Sequence, residues 1–314
     1  MWIGLYDRIV EAAWKTGTRF SGSSASETAF SGHAPSTVHI RWPAHYQWAL
    51  ASQWVDGILR EFRRHATVEV TDLVQTYPGI VLFSVENDKE QHEIAIDYSD
   101  YPVINEECAD RCALYFKMQY AKEGYAWTQV VPGGFVPGKS ELYSFLPHVR
   151  ALRDRRTFVH DVYGRFGRNF ATEVRKQATG ILGNQDRFGY EGGLSKVRYS
   201  RSLREVARSR LCIDLPGNGA FCFRLVDYFA VGACVISYPH SNRMPVPLVD
   251  REHIVYCKED FSDLPDLCAY YLENAEEREE ICLRSREYFD KHLHRRALAA
   301  YYFDEMIERL GRAR

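Results

Sequence analysis

One stretch of the sequence combines residue types that suit the binding of a phosphate group. Residues 210–237 contain two β-rich apolar runs, at 211–215 and 233–237, on either side of a helical run that ends at Gly232. This order predicts a βαβ unit. Between the first run and the helix stands a turn that lets the backbone approach a ligand closely. It consists of Pro216, Gly217, Asn218 and Gly219.

The helix after this turn presents two polar side chains near its start. Its apolar residues share one face at the spacing i, i+3, i+4, i+7, namely Cys222, Leu225, Val226 and Phe229, whereas Arg224 and Asp227 lie on another. A helix N-terminus favours an anion, and a guanidinium fork suits phosphate oxygens. Asp227 could accept hydrogen bonds from a sugar or ribose diol. We therefore predict a nucleotide-diphosphate site here. The alternatives are a turn without a ligand and a surface salt bridge between Arg224 and Asp227.

Further basic residues follow other predicted elements of the same half of the chain. Arg165 and Arg168 come after a predicted strand at 157–163, and ligands of open α/β sheets bind at the carboxyl edge of the strands. Lys196, after the turn at Gly192 and Gly193, would complete a phosphate clamp. The alternative for these residues is a solvated basic turn.

The turn and the run Phe-Arg-Leu-Val-Asp-Tyr-Phe-Ala-Val-Gly-Ala-Cys-Val-Ile at 223–236 carry a family resemblance. Residues 209–237 resemble the donor-binding segment of GT-B glycosyltransferases, especially of exostosin-like enzymes. The resemblance implies that Arg224 contacts the diphosphate of a nucleotide-sugar donor and that Asp227 contacts the ribose hydroxyls. Retaining GT-B enzymes often carry a Glu eight positions before the ribose-binding acid. Gly219 stands at that position, so the resemblance does not support a retaining mechanism. The Pro of the family pattern is also absent, since Cys234 runs directly into Val235.

An inverting transferase needs a base that deprotonates the acceptor hydroxyl, and a carboxylate or His at a strand end can serve. His45 follows the first predicted strand, and Asp97 and Asp100 stand at the end of a strand predicted at 93–97. We name Asp100 and His45 ahead of Asp97 as candidates. The alternatives are a structural histidine and carboxylates that cap a turn.

The elements that must position these residues fall into three stretches. Residues 1–36 predict an amphipathic helix at 1–15 and a mobile Ser- and Gly-rich connection at 17–36. Residues 37–140 predict an acceptor-side α/β domain, with strands at 37–42, 68–70, 79–85 and 93–97 and helices at 47–64 and 105–115. Three glycines and two prolines at 132–138 indicate a boundary. A helix at 141–152 leads into a nucleotide-sugar-binding α/β domain at 150–314 with C-terminal helices. We predict two Rossmann-like domains of the GT-B type with a cleft between them.

Composition narrows the class of protein and of partner. The chain has 314 residues, 46% of them hydrophobic and 26% charged, and its net charge of −2 gives no general attraction to nucleic acid or anionic membranes. No segment approaches the roughly 20 apolar residues of a membrane span, and we expect neither a signal peptide nor an anchor. The eight cysteines form no Cys-x-x-Cys pair, which favours a reducing, cytoplasmic location. No Asp-x-Asp triplet occurs, so we expect no metal and no cofactor beyond the donor substrate.

These observations predict a glycosyltransferase that moves a hexosyl or pentosyl group from a nucleotide-diphosphate donor to an acceptor hydroxyl. The transfer is expected to be inverting and metal-independent. The acceptor would be a glycan, a small molecule or a polymer, with nucleic acid possible as an acceptor only. Aromatic and basic residues near the first strand, such as Arg41, Trp42, Tyr46 and Trp48, would suit stacking on bases or sugars. The alternatives are a non-catalytic nucleotide- or glycan-binding module of the same fold, and the same chemistry on modified DNA or a surface glycan.

Overall fold

The computed structural model describes residues 2–17, 38–87 and 90–311. The predicted connection at 17–36 lies, apart from Gly17, outside the described residues. The strands are β1 (His39–Pro43), β2 (Thr67–Thr71), β3 (Ile80–Asn87), β4 (Glu90–Asp97), β5 (Leu114–Lys117), β6 (Val130–Pro132), β7 (His160–Arg165), β8 (Tyr190–Gly193), β9 (Ser209–Asp214), β10 (Cys234–Ser237) and β11 (Val255–Tyr256). The helices are α1 (Trp2–Gly17), α2 (Ser52–Phe62), α3 (Glu106–Arg111), α4 (Leu142–Asp154), α5 (Thr172–Asn184), α6 (Tyr199–Ala207), α7 (Phe223–Val231), α8 (Leu264–Glu273), α9 (Ala275–Tyr288) and α10 (Arg295–Gly311).

The chain forms two compact units, each built from more than one stretch of sequence. The N-unit comprises Glu27–Lys139, Ser241–Pro247 and Lys291–Arg314. The C-unit comprises Met1–Ser26, Ser140–His240 and Leu248–Asp290. Each unit is named after the half of the chain that supplies its sheet.

The N-unit contains a six-stranded sheet in the order β2-β1-β3-β4-β5-β6. Strand β3 runs antiparallel to its neighbours β1 and β4, whereas the pairs β1/β2, β4/β5 and β5/β6 are parallel. Five strands therefore end at the same edge of the sheet. The alternation that predicts β1 is visible in its burial, since Ile40 and Trp42 are fully buried while His39 is exposed.

Helices cover both faces of this sheet because successive strand residues point to opposite sides. Leu82 of β3 belongs to a cluster with Cys108 of α3 on one face. The next residue, Phe83, lies 4.9 Å from the ring of Trp42 on the other face. There Phe62 of α2 meets Phe303 of α10 at 6.3 Å between ring centroids.

The C-unit contains a five-stranded sheet in the order β11-β10-β9-β7-β8, in which every pair is parallel. Alternate residues such as Val162, Ile213 and Ile236 form a buried cluster with residues of α5, α8 and α9. On the opposite face, the hydroxyl of Tyr163 lies 3.3 Å from the Ser202 hydroxyl of α6. Helices therefore cover both faces of a parallel sheet, and the central strands are buried along most of their length, as at 162–164, 211–214 and 234–237.

The predicted βαβ unit is confirmed. Strands β9 and β10 are parallel neighbours, with Ile213 opposite Ile236, and α7 connects them. The helix ends where the sequence predicts, because Gly232 takes the left-handed conformation at φ +84° and its N–H bonds back to the carbonyl of Tyr228. The mixed α/β fold with two sheets of mostly parallel strands is confirmed as well.

Two predicted helices are shorter in the structure. The helix predicted at 47–64 begins as a 3₁₀ turn at Ala49–Ala51 and is α-helical only over Ser52–Phe62. The helix predicted at 105–115 ends at Arg111, because Leu114–Lys117 forms a strand that pairs with β4 and β6. The predicted helix includes Leu114 and Tyr115, but pairing with the neighbouring strands makes residues 114–117 a β-strand.

The first and last helices belong to other parts of the fold than the three predicted stretches of sequence suggest. Helix α1 belongs to the C-unit, where the Asp7 carboxylate accepts a hydrogen bond from Arg204. Helix α10 belongs to the N-unit, where the Tyr302 ring lies 4.2 Å from that of Phe116. Periodicity shows that a helix has an apolar face, but the residues that cover this face are set by tertiary packing.

Candidate functional site

The order of the C-unit strands creates a point where successive connections leave the sheet in opposite directions. From β7 the chain passes through α5 to β8 on one side, and it then returns through α6 to β9 on the other side of β7. The loops after β7 and β9, at 166–171 and 215–222, therefore diverge at the carboxyl edge. In open α/β sheets a ligand binds in the crevice between two such loops. The predicted turn at 216–219 lies in the second of them.

The loop after β9 leaves the start of α7 without a side-chain cap. Gly217 donates its N–H to the carbonyl of Gly219 at 3.0 Å, and Asn218 is exposed at the tip of the turn. Helix α7 begins at Phe223 after Cys222, which has an extended backbone and makes no side-chain capping bond. The sequence predicts a helix that follows the turn at 216–219. The helix begins at Phe223, because the backbone of Cys222 is extended.

Arg224 is anchored at the floor of this loop. Its Nε and Nη2 donate to Oδ1 of Asp214 at 3.1 and 2.9 Å, and Nη2 also donates to the carbonyl of Leu215 at 2.5 Å. The guanidinium carbon lies 4.6 Å from the ring centroid of Phe166. Among the described residues, Nη1 has no hydrogen-bond partner, and the side chain is 18% exposed. One edge of the guanidinium fork is thus fixed and the other remains able to donate to a ligand.

Asp214, the last residue of β9, is a residue that the sequence did not single out. Its side chain is 1% exposed. Burial alone raises the pKa of the carboxyl, but the charge of Arg224 and the neighbouring His240 outweigh this effect and hold the pKa below its ordinary value. A signal for Asp214 was present in the sequence, since this carboxylate lies in the predicted strand at 211–215, two residues before the glycine turn.

Arg175 of α5 joins the two loops and was also missed. Its Nε and Nη2 donate to the carbonyl of Pro216 at 2.9 and 2.7 Å, and its Nη1 donates to the carbonyl of Gly167 at 2.8 Å. The guanidinium lies 6.0 Å from the same Phe166 ring that Arg224 covers. Burial and the charge of Arg224 both lower the pKa of Arg175. An anion bound between the two cations would relieve their repulsion.

The remaining basic candidates divide into exposed and internally paired groups. Lys196 and Arg168 are exposed; the Cε of Lys196 passes close to Gly167, and the Nε of Arg168 donates to the carbonyl of Leu194 at 3.0 Å. Arg165 is held within the protein, since its Nε donates to Glu205 at 2.9 Å and its Nη2 to Glu191. Their predicted roles at the diphosphate stay predictions.

Asp227 lies one turn further along α7 than Arg224. Its carboxylate accepts a hydrogen bond of 2.7 Å from the Tyr199 hydroxyl of α6. The two polar side chains therefore have different partners, because the first turn of α7 faces the loop while the second faces α6. The ribose contact of Asp227 stays a prediction.

His240 adds a titratable group beside Asp214, beyond the carboxyl end of β10. Its Nε2 lies 4.0 Å from Oδ2 of Asp214 and 3.3 Å from the Ser237 hydroxyl, and its Nδ1 lies 3.1 Å from the Tyr256 hydroxyl. The sequence analysis did not identify His240. It follows β10 by three residues, which is the same kind of position that drew attention to His45.

The three candidate bases all lie at the carboxyl edge of the N-unit sheet. Asp97 is buried and both of its oxygens are engaged: Oδ1 accepts from the Ser99 N–H at 2.8 Å, and Oδ2 accepts from Tyr115 at 2.5 Å and Lys117 at 2.9 Å. Burial lowers the pKa of Lys117 although Asp97 opposes the shift. His45, just after β1, and Asp100, just after β4, are exposed.

The described residues offer neither a cluster of metal ligands nor a helix suited to a membrane. Within residues 2–17, 38–87 and 90–311, no group of three or more His, Cys, Asp or Glu side chains has an arrangement that could hold a metal ion. None of the helices in the described ranges combines the length and apolar character needed to cross a bilayer. The expectation of metal-independent chemistry stays a prediction.

Comparison with known proteins assigns the chain to a family. Residues 150–308, half of the chain, match the model of the family described as "Glycosyl transferase-like". The match includes β7 through β11 and therefore every loop of the candidate site. No curated protein matches the sequence.

Solved glycosyltransferase structures share a distant similarity. A glycosyltransferase from Rickettsia africae ESF-5 is 9% identical, with a TM-score of 0.46 over 70% of this chain and 71% of that one. Anabaena Alr3699/HepE in complex with UDP and glucose is 13% identical, with a TM-score of 0.43 over 64% of each chain. Acinetobacter baumannii MurG is 9% identical, with a TM-score of 0.38 over 68% of this chain and 66% of that one. The present chain thus spans less than two thirds of the HepE and MurG chains.

Proposed function

Since this chain belongs to the glycosyl transferase-like family, we propose that it transfers a hexosyl or pentosyl group from a nucleotide-diphosphate sugar to an acceptor hydroxyl. The C-unit would bind the donor and the N-unit would bind the acceptor. The transfer would be inverting and would need no metal. Kinship with exostosin-like enzymes and a cytoplasmic location stay predictions.

The observation that carries this proposal is the pair of guanidinium groups on Phe166. Arg175 and Arg224 lie 6.0 and 4.6 Å from the same ring, at the point where the loops after β7 and β9 diverge. The Nη1 of Arg224 would donate to a donor phosphate oxygen, and the glycine turn would allow the diphosphate to approach the main chain. Lys196 and Arg168 are exposed and can reach over the same loops.

The same groups would stabilise the transition state. When the bond between the sugar and the diphosphate breaks, negative charge grows on the departing phosphate oxygens. Cations and N–H groups held in place before the reaction stabilise this charge without reorganisation. Because Arg224 is fixed by Asp214, its free edge is oriented in advance.

For the base we propose Asp100, with His45 as the second choice. A general base needs a lone pair that can receive the acceptor proton. Asp97 already accepts hydrogen bonds on both oxygens, one of them from the buried ammonium of Lys117. Asp100 and His45 are exposed at the same sheet edge and remain accessible to an acceptor. Trp48 is 40% exposed, and its ring would stack on the acceptor.

A measurement of turnover tests the proposed transferase activity. The protein is incubated with a panel of nucleotide sugars and hydroxyl acceptors, and mass spectrometry detects both glycosylated product and released nucleoside diphosphate. We expect product with the wild type, and loss of product with unchanged donor binding for Asp100→Asn. Nucleoside diphosphate binding without product from any donor would instead support a non-catalytic binding module. Acceptor binding that weakens steeply with salt would favour a nucleic-acid acceptor.

A further inference from the structure

A second concave site lies in the C-unit, away from the proposed diphosphate site. Helices α1, α4 and α6 and the residues that precede β7 enclose a cavity of about 770 Å³, which falls within the usual size of small-molecule pockets. Val159 and Arg208 line it and directly precede β7 and β9. The cavity therefore reaches the amino edge of the sheet. β7 and β9 are six residues long, so the residues that precede them lie roughly 20 Å from the loops that follow them, at about 3.3 Å per residue. Glu191 and Glu205 extend the lining towards the carboxyl edge, where both bind Arg165 at the end of β7.

The cavity carries more positive than negative charge. Its ionised lining consists of Arg155, Arg201, Arg204, Arg208, Glu191 and Glu205. Both carboxylates are already bound by Arg165, and Glu205 also accepts from Arg201 at 2.8 Å. Among the described residues, Arg155 and Arg208 form no ion pair. An anion is the ligand that this arrangement would attract.

Two buried nitrogen atoms in the lining have no hydrogen-bond partner among the described residues. They are Nη1 of Arg204 and Nε2 of His148. Arg204 is oriented by the Asp7 carboxylate, and its guanidinium lies 5.3 Å from the Tyr6 ring and 5.9 Å from the Trp14 ring. His148 stacks on Trp14 at 5.6 Å with nearly parallel planes. Buried polar groups normally have partners, so these two nitrogens are the unsatisfied polar atoms of the cavity lining.

We propose that this cavity binds a phosphate ester. Its phosphate oxygens accept hydrogen bonds from Arg155, Arg204 and Arg208, because guanidinium groups match the geometry of phosphate and remain charged at all physiological pH values. Its carbon portion lies against apolar and aromatic groups of the lining such as Val10 and Leu152. This site is distinct from the diphosphate site, and it gives α1 a role as one wall of a ligand pocket.

The phosphate could be carried by a soluble molecule or by a lipid. Leu5, Tyr6 and Ile9 of α1 are 51%, 60% and 58% exposed, and Tyr6 also lines the cavity. An apolar helix surface beside a cationic cavity fits the headgroup of an anionic lipid as well as a free sugar phosphate. The chemistry recognised is the same in both cases, and two probes separate the sources.

The experiment measures binding of glucose 6-phosphate and of phosphatidylcholine vesicles with and without phosphatidic acid to the full chain. The double variant Arg155→Gln/Arg208→Gln removes two exposed charges from the cavity. A double variant Arg187→Gln/Arg210→Gln removes two exposed charges of the C-unit elsewhere and serves as the matched control. Circular dichroism and the melting temperature verify that both variants fold.

We expect the cavity variant to lose about tenfold or more in affinity for at least one probe, while the control and Arg224→Lys retain it. Hydrogen exchange should show ligand protection in α1 and α6. Binding of glucose 6-phosphate alone identifies a soluble source, and binding only of vesicles with phosphatidic acid identifies a lipid. The proposal is overturned if neither probe binds, if the cavity variant binds as the wild type does, or if protection is confined to the loop at 215–222. If Arg224→Lys loses transferase activity, its binding of phosphate esters in the cavity should still equal that of the wild type.

Discussion

At the scale of single residues, the candidate site depends on a buried ion pair that stabilises the fold and that we propose also binds the donor. Asp214 is almost fully buried, and Arg224 supplies two hydrogen bonds to one of its oxygens. The same arginine is the residue through which the sequence predicts contact with a phosphate. A substitution at Arg224 therefore changes two properties, which need separate measurements.

Arg224→Ala should lower the stability of the protein substantially. It leaves the Asp214 carboxylate buried without its cation, and breaking a buried pair in this way costs about 3 to 5 kcal/mol. Arg224→Lys keeps a positive charge near Asp214 and should lose much less. Urea unfolding of both variants beside the wild type measures the difference. Equal stability of Arg224→Ala and the wild type would show that Asp214 is not held by this contact.

The pKa of Asp214 predicts how this contribution depends on pH. The folded-state pKa lies below the ordinary value of 3.8, so the carboxylate stabilises the fold fully above about pH 3.8 and loses this effect as the pH falls through the folded-state pKa. The difference in unfolding free energy between the wild type and Asp214→Asn should therefore be large at neutral pH and shrink in acid. A pH series of urea titrations checks this. A difference that stays constant down to pH 3 would contradict the assignment.

At the scale of elements, close packing between strands and loops holds the Phe166 ring under the two arginines. A Cβ added at Gly164 of β7 would lie 2.8 Å from Cζ of Phe166 and 3.2 Å from Cβ of Ile213. Such contacts are shorter than van der Waals distance, so the ring or the strand must shift. Glycine at this position allows the ring to lie where Arg175 and Arg224 both cover it.

Gly164→Ala should therefore weaken nucleoside diphosphate binding and destabilise the C-unit by about 1 to 3 kcal/mol. Gly180→Ala is the matched control, because Gly180 lies inside α5 and a Cβ there meets no atom within 4 Å. The control should raise stability by roughly 0.5 to 1 kcal/mol through its higher helix propensity and leave binding unchanged. Thermal unfolding and calorimetric titration measure both quantities. Equal effects of the two substitutions would refute the role assigned to Gly164.

Local sequence patterns predicted the elements around the site better than the contacts inside it. The apolar runs, the glycine turn and Gly232 predicted β9, α7 and β10, because these elements are set by periodicity and backbone freedom. They did not predict that Asp214 binds Arg224, since this contact depends on the path of the loop at 215–222. They also did not predict that Arg175 binds Pro216, since these residues are brought together only by the order of strands in the sheet.

At the scale of the whole molecule, each unit takes its helices from distant parts of the sequence. Helix α1 packs with α4 and α6 in the C-unit, and α10 packs with α2 in the N-unit. Composition and glycine content predicted two α/β parts with a boundary at 132–138. They could not assign the terminal helices, because an amphipathic helix fits many apolar surfaces and only the assembled unit selects one.

We propose that the C-unit holds a diphosphate between the loops after β7 and β9, beside Arg175 and Arg224. Binding of the phosphates can be measured apart from binding of the nucleoside. Both can be measured apart from folding, because Arg224→Lys retains the charge that Asp214 needs but lacks the second edge of the guanidinium fork. This variant is therefore the sharpest probe of the site.

The most direct test is isothermal titration of a nucleoside diphosphate, and of the same nucleoside without phosphates, into the wild type and Arg224→Lys. We expect that the variant folds and binds the nucleoside as the wild type does but loses about tenfold or more in affinity for the diphosphate. Wild-type affinity of Arg224→Lys for the nucleoside diphosphate that the wild type binds best would contradict this expectation.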